Sequence, residues 1–395
     1  MGLKSILKKI IPSNIKKIIE NCLNGNYSYY LWILPIKKNK IVFCNYYGGG
    51  YGDNGKYIVK KLIEENLDCD IVWLVNEKLI NKSVFPKNVR VVKYGSFKSL
   101  YELATAKLWI DNSRKSFYPP KRKNQYYIQT WHGGISLKQI EKDAENKLSR
   151  DYVNNAIKDS KMANLFISNS DFCTKMYKSA FWYDGDILEC GSPRCDILIN
   201  KDKKIKDKIV KDFEINENSR ILLYAPTFRN DENTDIYNID FNKLIEVLEK
   251  KFGGVWNILV RLHPNIADKV DFMEYSKKIK NATKYDDMYE LLAASDILIT
   301  DYSSTMFEFS LVNKPVILYA PDLESYIEER NFYFDIINLP YPLSRNNGEL
   351  FNIIEKFEFN KYVKNLEDFM LKLGIKERGE AAAQVVKIIK KIIYW

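Results

Sequence analysis

Short apolar runs recur along the chain between polar segments rich in glycine, asparagine and charge. In the first half they are Lys40–Asn45, Asp70–Val75, Val89–Lys93, Leu108–Asp111, Tyr126–Thr130, Leu165–Ser168 and Ile187–Cys190. In the second half they are Arg220–Ala225, Trp256–Val260, Ile297–Thr300 and Pro315–Tyr319. Runs of this length, bounded by turn residues, read as buried strands. Helical patterning appears between them, at Tyr57–Leu62 and Phe241–Phe252. Residues 294–326 show the repeating unit: strand Ile297–Thr300, hydroxyl-rich loop Asp301–Ser304, a helix over Thr305–Leu311, and strand Pro315–Tyr319. That is a βαβ crossover, and its recurrence in both halves predicts two parallel-sheet α/β domains.

The ends of the chain differ. Leu3, Ile6, Leu7, Ile10 and Ile11 recur at helical spacing, and Ile15, Ile18, Ile19 and Leu23 resume the pattern after Pro12. Lys4, Lys8, Lys9, Lys16 and Lys17 take the opposite face. A basic amphipathic helix broken at Pro12 is expected, docked either on its own domain or on a membrane surface. Residues 376–395 predict a final basic helix, with Val385, Val386, Ile388, Ile389, Ile392 and Ile393 opposite Lys387, Lys390 and Lys391. Residues 200–218 are charged and poor in large apolar side chains, which places the domain boundary there. The expected divisions are 1–30 (membrane-associating segment), 31–205 (N-terminal domain), 206–370 (C-terminal domain) and 371–395 (basic helix).

Composition narrows the class. Hydrophobic residues make up 46% of the 395, enough for full cores and against a disordered chain. Lys and Arg number 61 against 51 Asp and Glu, an excess that suits an anionic partner. The six cysteines lack paired CxxC spacing and are expected as free thiols. No apolar run approaches the ~18 residues of a membrane span. No signal-peptide pattern is read at the N-terminus, and Ile6 breaks the myristoylation pattern.

Candidate chemistry collects at the predicted strand ends: His132, Arg194, Thr227, Arg229, Arg261, His263, Asp301, Ser303 and Ser304. Ligands of open α/β sheets bind beyond the carboxyl ends of the strands. Arginine offers paired donors to phosphate oxygens, and a neutral histidine can accept a hydroxyl proton near pH 7. Ser303 and Ser304 precede a helix, where they act as caps or hold an anion. The set fits phosphoryl or glycosyl transfer from a nucleotide diphosphate donor and does not choose between them. The loop Tyr46–Gly55 carries five glycines without the context of a dinucleotide fingerprint. Asp68 with Asp70, and Asp184 with Asp186, spell DxD, but two carboxylates leave most of a divalent ion's oxygen shell unfilled, so no metal site is expected.

The segments WHGGISLK, GSPRCDIL, LLYAPTFR, RLHPN and DILITDYSSTMFEF-x(4)-KPVILYAPDLESY resemble, in order, the motif series of the CDP-glycerol glycerophosphotransferase family, the teichoic acid glycerol- and ribitol-phosphate primases and polymerases. The upstream YGDNGKYIVKKL resembles that family's acceptor-side segment, and the likeness spans roughly 41–330. It implies a GT-B-like fold of two facing Rossmann-like domains, to which the residue pattern adds the basic amphipathic helices at both termini. It implies His132 as the base for the acceptor hydroxyl, with His263 the second catalytic histidine and a pyrophosphate ligand. Arg194, Thr227, Arg229, Arg261, Asp301, Ser303 and Ser304 fall to the donor, and Glu308 to its ribose. Asp53, Asn54, Gly133 and Lys138 fall to the acceptor side.

The implied partners are CDP-glycerol or CDP-ribitol, a polyprenyl-linked acceptor and an anionic membrane surface, with no nucleic acid, no cofactor and no metal. The implied place is the cytoplasmic face of a bacterial plasma membrane, held peripherally. Two departures from the family pattern are Gly134, where threonine usually follows the His-Gly pair, and Glu308 in Phe307-Glu308-Phe309 where the usual triplet is FDF. The first bears on the choice of polyol. A nucleotide-sugar glycosyltransferase of the same fold and a non-catalytic membrane-docking protein are the alternative readings.

Overall fold

The computed structural model describes residues 31, 33–81, 84–229, 235–262, 275–329 and 331–394. The helix expected over residues 1–23 and the candidate His263 therefore lie outside the described residues.

The strands form two sheets. The first contains β1 (Lys37–Cys44), β2 (Asp70–Val75), β3 (Val89–Lys93), β4 (Ala106–Asp111), β5 (Tyr126–Gln129), β6 (Leu165–Ser168) and β7 (Asp186–Glu189), in the order β3-β2-β1-β4-β5-β6-β7. The second contains β8 (Arg220–Tyr224), β9 (Trp256–Val260), β10 (Ile279–Asn281), β11 (Ile297–Thr300), β12 (Val316–Tyr319) and β13 (Leu343–Ser344), in the order β10-β9-β8-β11-β12-β13. The described pairings are parallel, for example Cys44 opposite Asp111 and Ile299 opposite Tyr224. Both sheets thus begin in the middle, run outward three strands, return and run out the other way. This is the doubly wound Rossmann order, with switch points between β1 and β4 and between β8 and β11.

Five predicted strands coincide with observed ones, at β2, β3, β6, β9 and β11, and the helix Phe241–Phe252 forms over the expected residues. β2, β6, β9 and β11 are buried almost throughout, covered on both faces, whereas the edge strand β3 leaves Arg90 and Lys93 exposed. Val42, Val72, Leu74, Trp109 and Tyr127 lie in one core, and Leu222, Ile258, Ile297 and Ile299 in the other. The helix after the hydroxyl-rich loop is shorter than expected. It spans Thr305–Phe309 and tightens into a 3₁₀ turn at Ser310–Val312, ended by Asn313 in the left-handed region at φ 55°. The two-residue β13 gave no sequence signal.

Sheet membership changes between Glu189 and Arg220, across the boundary expected near residue 206. By compactness the chain divides less simply. One unit comprises Met1–His132, Asn154–Phe166 and Ala383–Trp395, and the other Gly133–Val153 and Ile167–Ala382. The C-terminal helix spans Ala381–Tyr394. Val385, Val386, Ile389 and Ile393 are buried along it, and Lys390 pairs with Glu65 at 2.6 Å. Its apolar face is therefore already covered by protein. No helix among the described residues is long and apolar enough to cross a membrane.

Ile389 is fully buried. Ile389→Ala should lower unfolding stability by about 2–5 kcal/mol through lost burial and the cavity left behind. An unchanged urea midpoint would show that the helix is not packed as described.

Candidate active site

In the second unit a cavity of about 510 Å³ opens beside the carboxyl ends of β8, β9 and β11. Ala225–Phe228 supply one wall, Arg261 and Leu262 another, and Tyr302, Ser303 and Ser304 a third, with Met288 and Ser136–Lys138 completing the lining. This is the switch-point position that the strand order dictates.

One carboxylate organises these walls. Asp301, at the end of β11, accepts the backbone N–H of Thr227 at 2.9 and 3.0 Å, the Thr227 hydroxyl, and its neighbour Tyr302 N–H at 2.6 Å. It also pairs with Arg229 at 2.8 Å. Arg229 in turn donates to Asp322 through Nε at 2.7 Å and Nη2 at 3.1 Å, and through Nη1 to the Thr227 carbonyl at 2.6 Å. Its guanidinium lies 4.8 Å from the centroids of Tyr302 and Tyr326, which stack 3.6 Å apart. Burial would weaken the Arg229 charge, but Asp322 and Asp301 outweigh it and hold the group protonated above its ordinary range. Burial likewise opposes the Asp322 carboxylate, and the bond from Arg229 prevails and keeps it below the usual value.

The expected donor ligands therefore separate. Thr227, Arg261, Ser303 and Ser304 line the cavity, as does Lys138, which had been placed on the acceptor side. Asp301, Arg229, Arg194 and Glu308 are not among the lining residues. Arg261 donates to the carbonyls of Ala282 and Tyr285, and burial lowers its pKa while Asp287 and Asp286 offset part of the loss. Lys138 sits 5.1 Å over the Tyr326 ring. Ser303 Oγ accepts from the Thr305 hydroxyl at 2.8 Å and more weakly from its N–H at 3.4 Å, whereas Ser304 makes no side-chain cap. Arg194 and Glu308 form a buried ion pair at 2.7 Å, and the second Glu308 oxygen accepts the Tyr289 hydroxyl at 2.8 Å. A guanidinium so deeply buried needs its counterion there, which explains why Glu308 is turned to it.

No local pattern singles out Glu377, which accepts the Ser192 N–H with both oxygens at 3.0 Å. A Cβ on Gly191, at φ 91°, would stand 2.5 Å from Glu377 Oε2. The turn carrying Arg194 is thus built around this carboxyl. Gly134 has a comparable explanation: a Cβ there would meet Asn169 Nδ2 at 2.2 Å, so Asn169 occupies the space a larger residue would need. Gly133 accepts the Tyr177 hydroxyl at 3.0 Å through its carbonyl.

His132 belongs to the first unit, at the β1/β4 switch point. Its Nδ1 lies 2.7 Å from the Asn112 carbonyl, which can only accept, so the proton is on Nδ1 and the basic lone pair on Nε2. Asn112 Oδ1 accepts the Tyr46 N–H at 2.9 Å, and the Tyr46 ring packs edge-on against the imidazole at 5.4 Å. Asp53 accepts the Tyr46 hydroxyl at 2.6 Å, and Asn54 donates to the Trp131 carbonyl at 3.0 Å. Asp53 and Asn54, expected to meet the acceptor, are thus turned toward the residues around the histidine. Beneath them Arg114 pairs with Asp159 and Lys115 with Asp111, and burial pushes the Asp111 carboxyl up to about 6 against the pull of Lys115.

Of the DxD carboxylates, Asp70 is bound by Arg90 at 2.7 and 2.8 Å. Among the described residues no group of three or more His, Cys, Asp or Glu could hold a metal ion. The described cysteines are free, and burial pushes the Cys44 and Cys173 thiols up to about 12.

Parallel sheets with cationic and hydroxyl-bearing side chains at one switch point and a tautomer-fixed histidine at the other define an α/β group-transfer enzyme acting on an anionic donor. The sequence profile of the CDP-Glycerol:Poly(glycerophosphate) glycerophosphotransferase family matches residues 27–391, and the chain belongs to that family. It is 32% identical to a Staphylococcus aureus teichoic acid glycerol-phosphate transferase, over 97% of this chain and 100% of that one. It is 30% identical to a Bacillus spizizenii teichoic acid poly(glycerol phosphate) polymerase, over 90% of this chain and 93% of the relative. A structure of the wall teichoic acid polymerase TagF, a histidine-to-asparagine variant with CDPG, superposes with a TM-score of 0.84 at 28% identity, covering 96% of this chain and 97% of that one. The α/β, GT-B-like class is thereby established as a fold of two parallel-stranded sheets.

Burial, with a smaller push from Asp196, raises the Glu377 carboxyl to about 7 against the pull of the Ser192 N–H. Its folded pKa exceeds the unfolded one, so the folded state holds more protons between the two. The associated stability is present below the unfolded pKa and lost as pH rises through about 7. Glu377→Gln should flatten the decline in unfolding stability between pH 5 and 8 by roughly 1–3 kcal/mol, leaving the part due to Asp111. An identical slope in the variant would refute the buried carboxyl.

Proposed function

We propose that this protein transfers a polyol phosphate, glycerol phosphate foremost, from a CDP-polyol to a lipid-linked acceptor and releases CMP. The observation that carries the reading is the presence, in one chain, of a cavity walled by Arg261, Lys138 and hydroxyls and of a histidine whose basic nitrogen is fixed as Nε2. Arg261 and Lys138 would neutralise the pyrophosphate, with Thr227, Ser303 and Ser304 donating to its oxygens. His132 Nε2 would take the acceptor hydroxyl proton as that oxygen attacks the distal phosphorus in line, and the P–O bond to CMP breaks. CMP leaves as a phosphate dianion, and the proton stays on the imidazole until solvent removes it. Arg229, Asp301, Arg194 and Glu308 would act from behind, holding the walls.

No metal enters this reading, because the cations of the cavity can carry the charge that a divalent ion would otherwise balance. Attachment to the inner face of the membrane would come from the basic segment in residues 1–30, with anionic lipid attraction of about 1 kcal/mol for each lysine near the surface. The acceptor would be polyprenyl-linked and reach the enzyme at that surface.

The test is incubation with CDP-glycerol and CDP-ribitol and a glycerol-phosphate-terminated acceptor analogue, with the nucleotide identified by mass. CMP is expected; release of CDP would mean that the polyol is transferred without its phosphate. His132→Ala should cut turnover by about 10² or more with donor affinity nearly unchanged. Ser303→Ala with Ser304→Ala should raise the donor Kd in a folded protein, and unchanged affinity would make them caps alone. EDTA should leave the rate intact, and a loss restored by Mg²⁺ would defeat the metal-free reading.

A further inference from the structure

The glycine-bearing loop after β1 closes around His132 in a way that its turn-making role does not require. Tyr46, Tyr47, Asp53 and, before the histidine itself, Trp131 all have φ between 44° and 55°. Left-handed backbone is uncommon in non-glycine residues and persists where surroundings impose it, often at functional sites. Here the surroundings are specific. Asn112 holds two groups at once, the His132 ring through its carbonyl at 2.7 Å and the Tyr46 backbone through its side chain at 2.9 Å. The Tyr46 phenol then spans from the imidazole, 5.4 Å between centroids, to the Asp53 carboxylate at 2.6 Å. Asp53 Oδ1 accepts the Asn54 N–H at 2.6 Å, which fixes the carboxylate at the start of the helix Asp53–Glu64.

We infer that Tyr46, braced by Asp53, is a positioning residue for His132. The phenol packs on one side of the imidazole, and the carboxylate behind it favours the imidazolium that forms when the acceptor proton arrives. An anionic group nearby strengthens a histidine's hold on its proton. The surrounding elements also carry Lys56, Lys60, Lys61 and Glu64 on the helix that starts at Asp53, and Asp111, Arg114 and Lys115 on the strand end and turn carrying Asn112. Arg114 and Lys115 are matched by Asp159 and Asp111, and the Asp53 charge is the one that reaches the imidazole through the Tyr46 phenol. The inference rests on His132 being the base, as proposed above.

Two variants separate tether from charge. Tyr46→Phe keeps the ring and removes the hydroxyl that bonds to Asp53. Asp53→Asn keeps an acceptor for the phenol, tolerates left-handed backbone and removes the charge. The chain has two histidines, so imidazole NMR of histidine-labelled full-length protein, assigned with His132→Ala, reads the base directly.

The wild type should show the Nδ1–H tautomer, and Asp53→Asn should lower the His132 midpoint by about half a unit or more. Both variants should lower kcat about tenfold with CDP-glycerol KM within about twofold. In Asp53→Asn the acidic limb of the kcat/KM profile should move to lower pH, since a base with a lower pKa stays unprotonated further down. Unchanged midpoint and tautomer in both variants would overturn the inference, whatever happens to kcat, because the loop would then be merely structural. Full turnover in His132→Ala would instead sink the base reading, while the NMR shifts would still report the Tyr46–Asp53 contact.

Discussion

The second unit's cavity depends on Asp301. Its carboxylate ends β11, grips the loop after β8 through Thr227 and Arg229, and through Arg229 reaches Asp322 beyond β12. Three neighbouring strand ends are thereby fastened by one buried charge cluster. Such a cluster adds little net stability, because desolvation offsets most of the attraction, yet removing one partner leaves an uncompensated buried charge at about 3–5 kcal/mol. The cluster therefore acts mainly on geometry. It holds the Thr227 wall and the Tyr302–Ser304 wall in a fixed relation, so their donors need not be ordered anew when an anion arrives.

That arrangement changes which cations can serve a ligand. Arg229 and Arg194 look equivalent to Arg261 in the sequence, since all three follow strands in polar turns. The structure gives Arg229 to Asp301 and Asp322 and Arg194 to Glu308, leaving Arg261 and Lys138 to face the cavity. A guanidinium's type is visible in the sequence, but its allegiance is set by carboxylates 72 to 114 positions away, through contacts that no local pattern encodes.

The legible parts follow the same logic. Strands β2, β6, β9 and β11 were readable because burial on both faces demands largely apolar runs, and the loops between them because polar backbone must stay near solvent. Thr227, Arg261, Ser303 and Ser304 were readable because strand order alone places the ends of β8, β9 and β11 side by side. Glu377 was hidden, since nothing in KERGE distinguishes a buried carboxyl from its solvated neighbours. Gly134 was visible as an oddity, but its cause, the Asn169 side chain, lies 35 positions further on. The interleaving of the two units escaped a reading that looked for one compositional break.

Both sheets present a switch point built from the same strand order, yet the chemistry differs, and charge pairing accounts for the difference. Around the first, Arg114 and Lys115 are matched by Asp159 and Asp111. An unpaired cation there would disfavour the imidazolium and weaken the base. Around the second, the arginines that serve structure are matched by carboxylates, while Arg261 donates to the Ala282 and Tyr285 carbonyls and feels Asp287 and Asp286 only as a partial offset to its burial. Carbonyls orient a guanidinium without cancelling its charge. The histidine proposed as base and the cations proposed to hold the donor thus differ in how the fold distributes counterions around them.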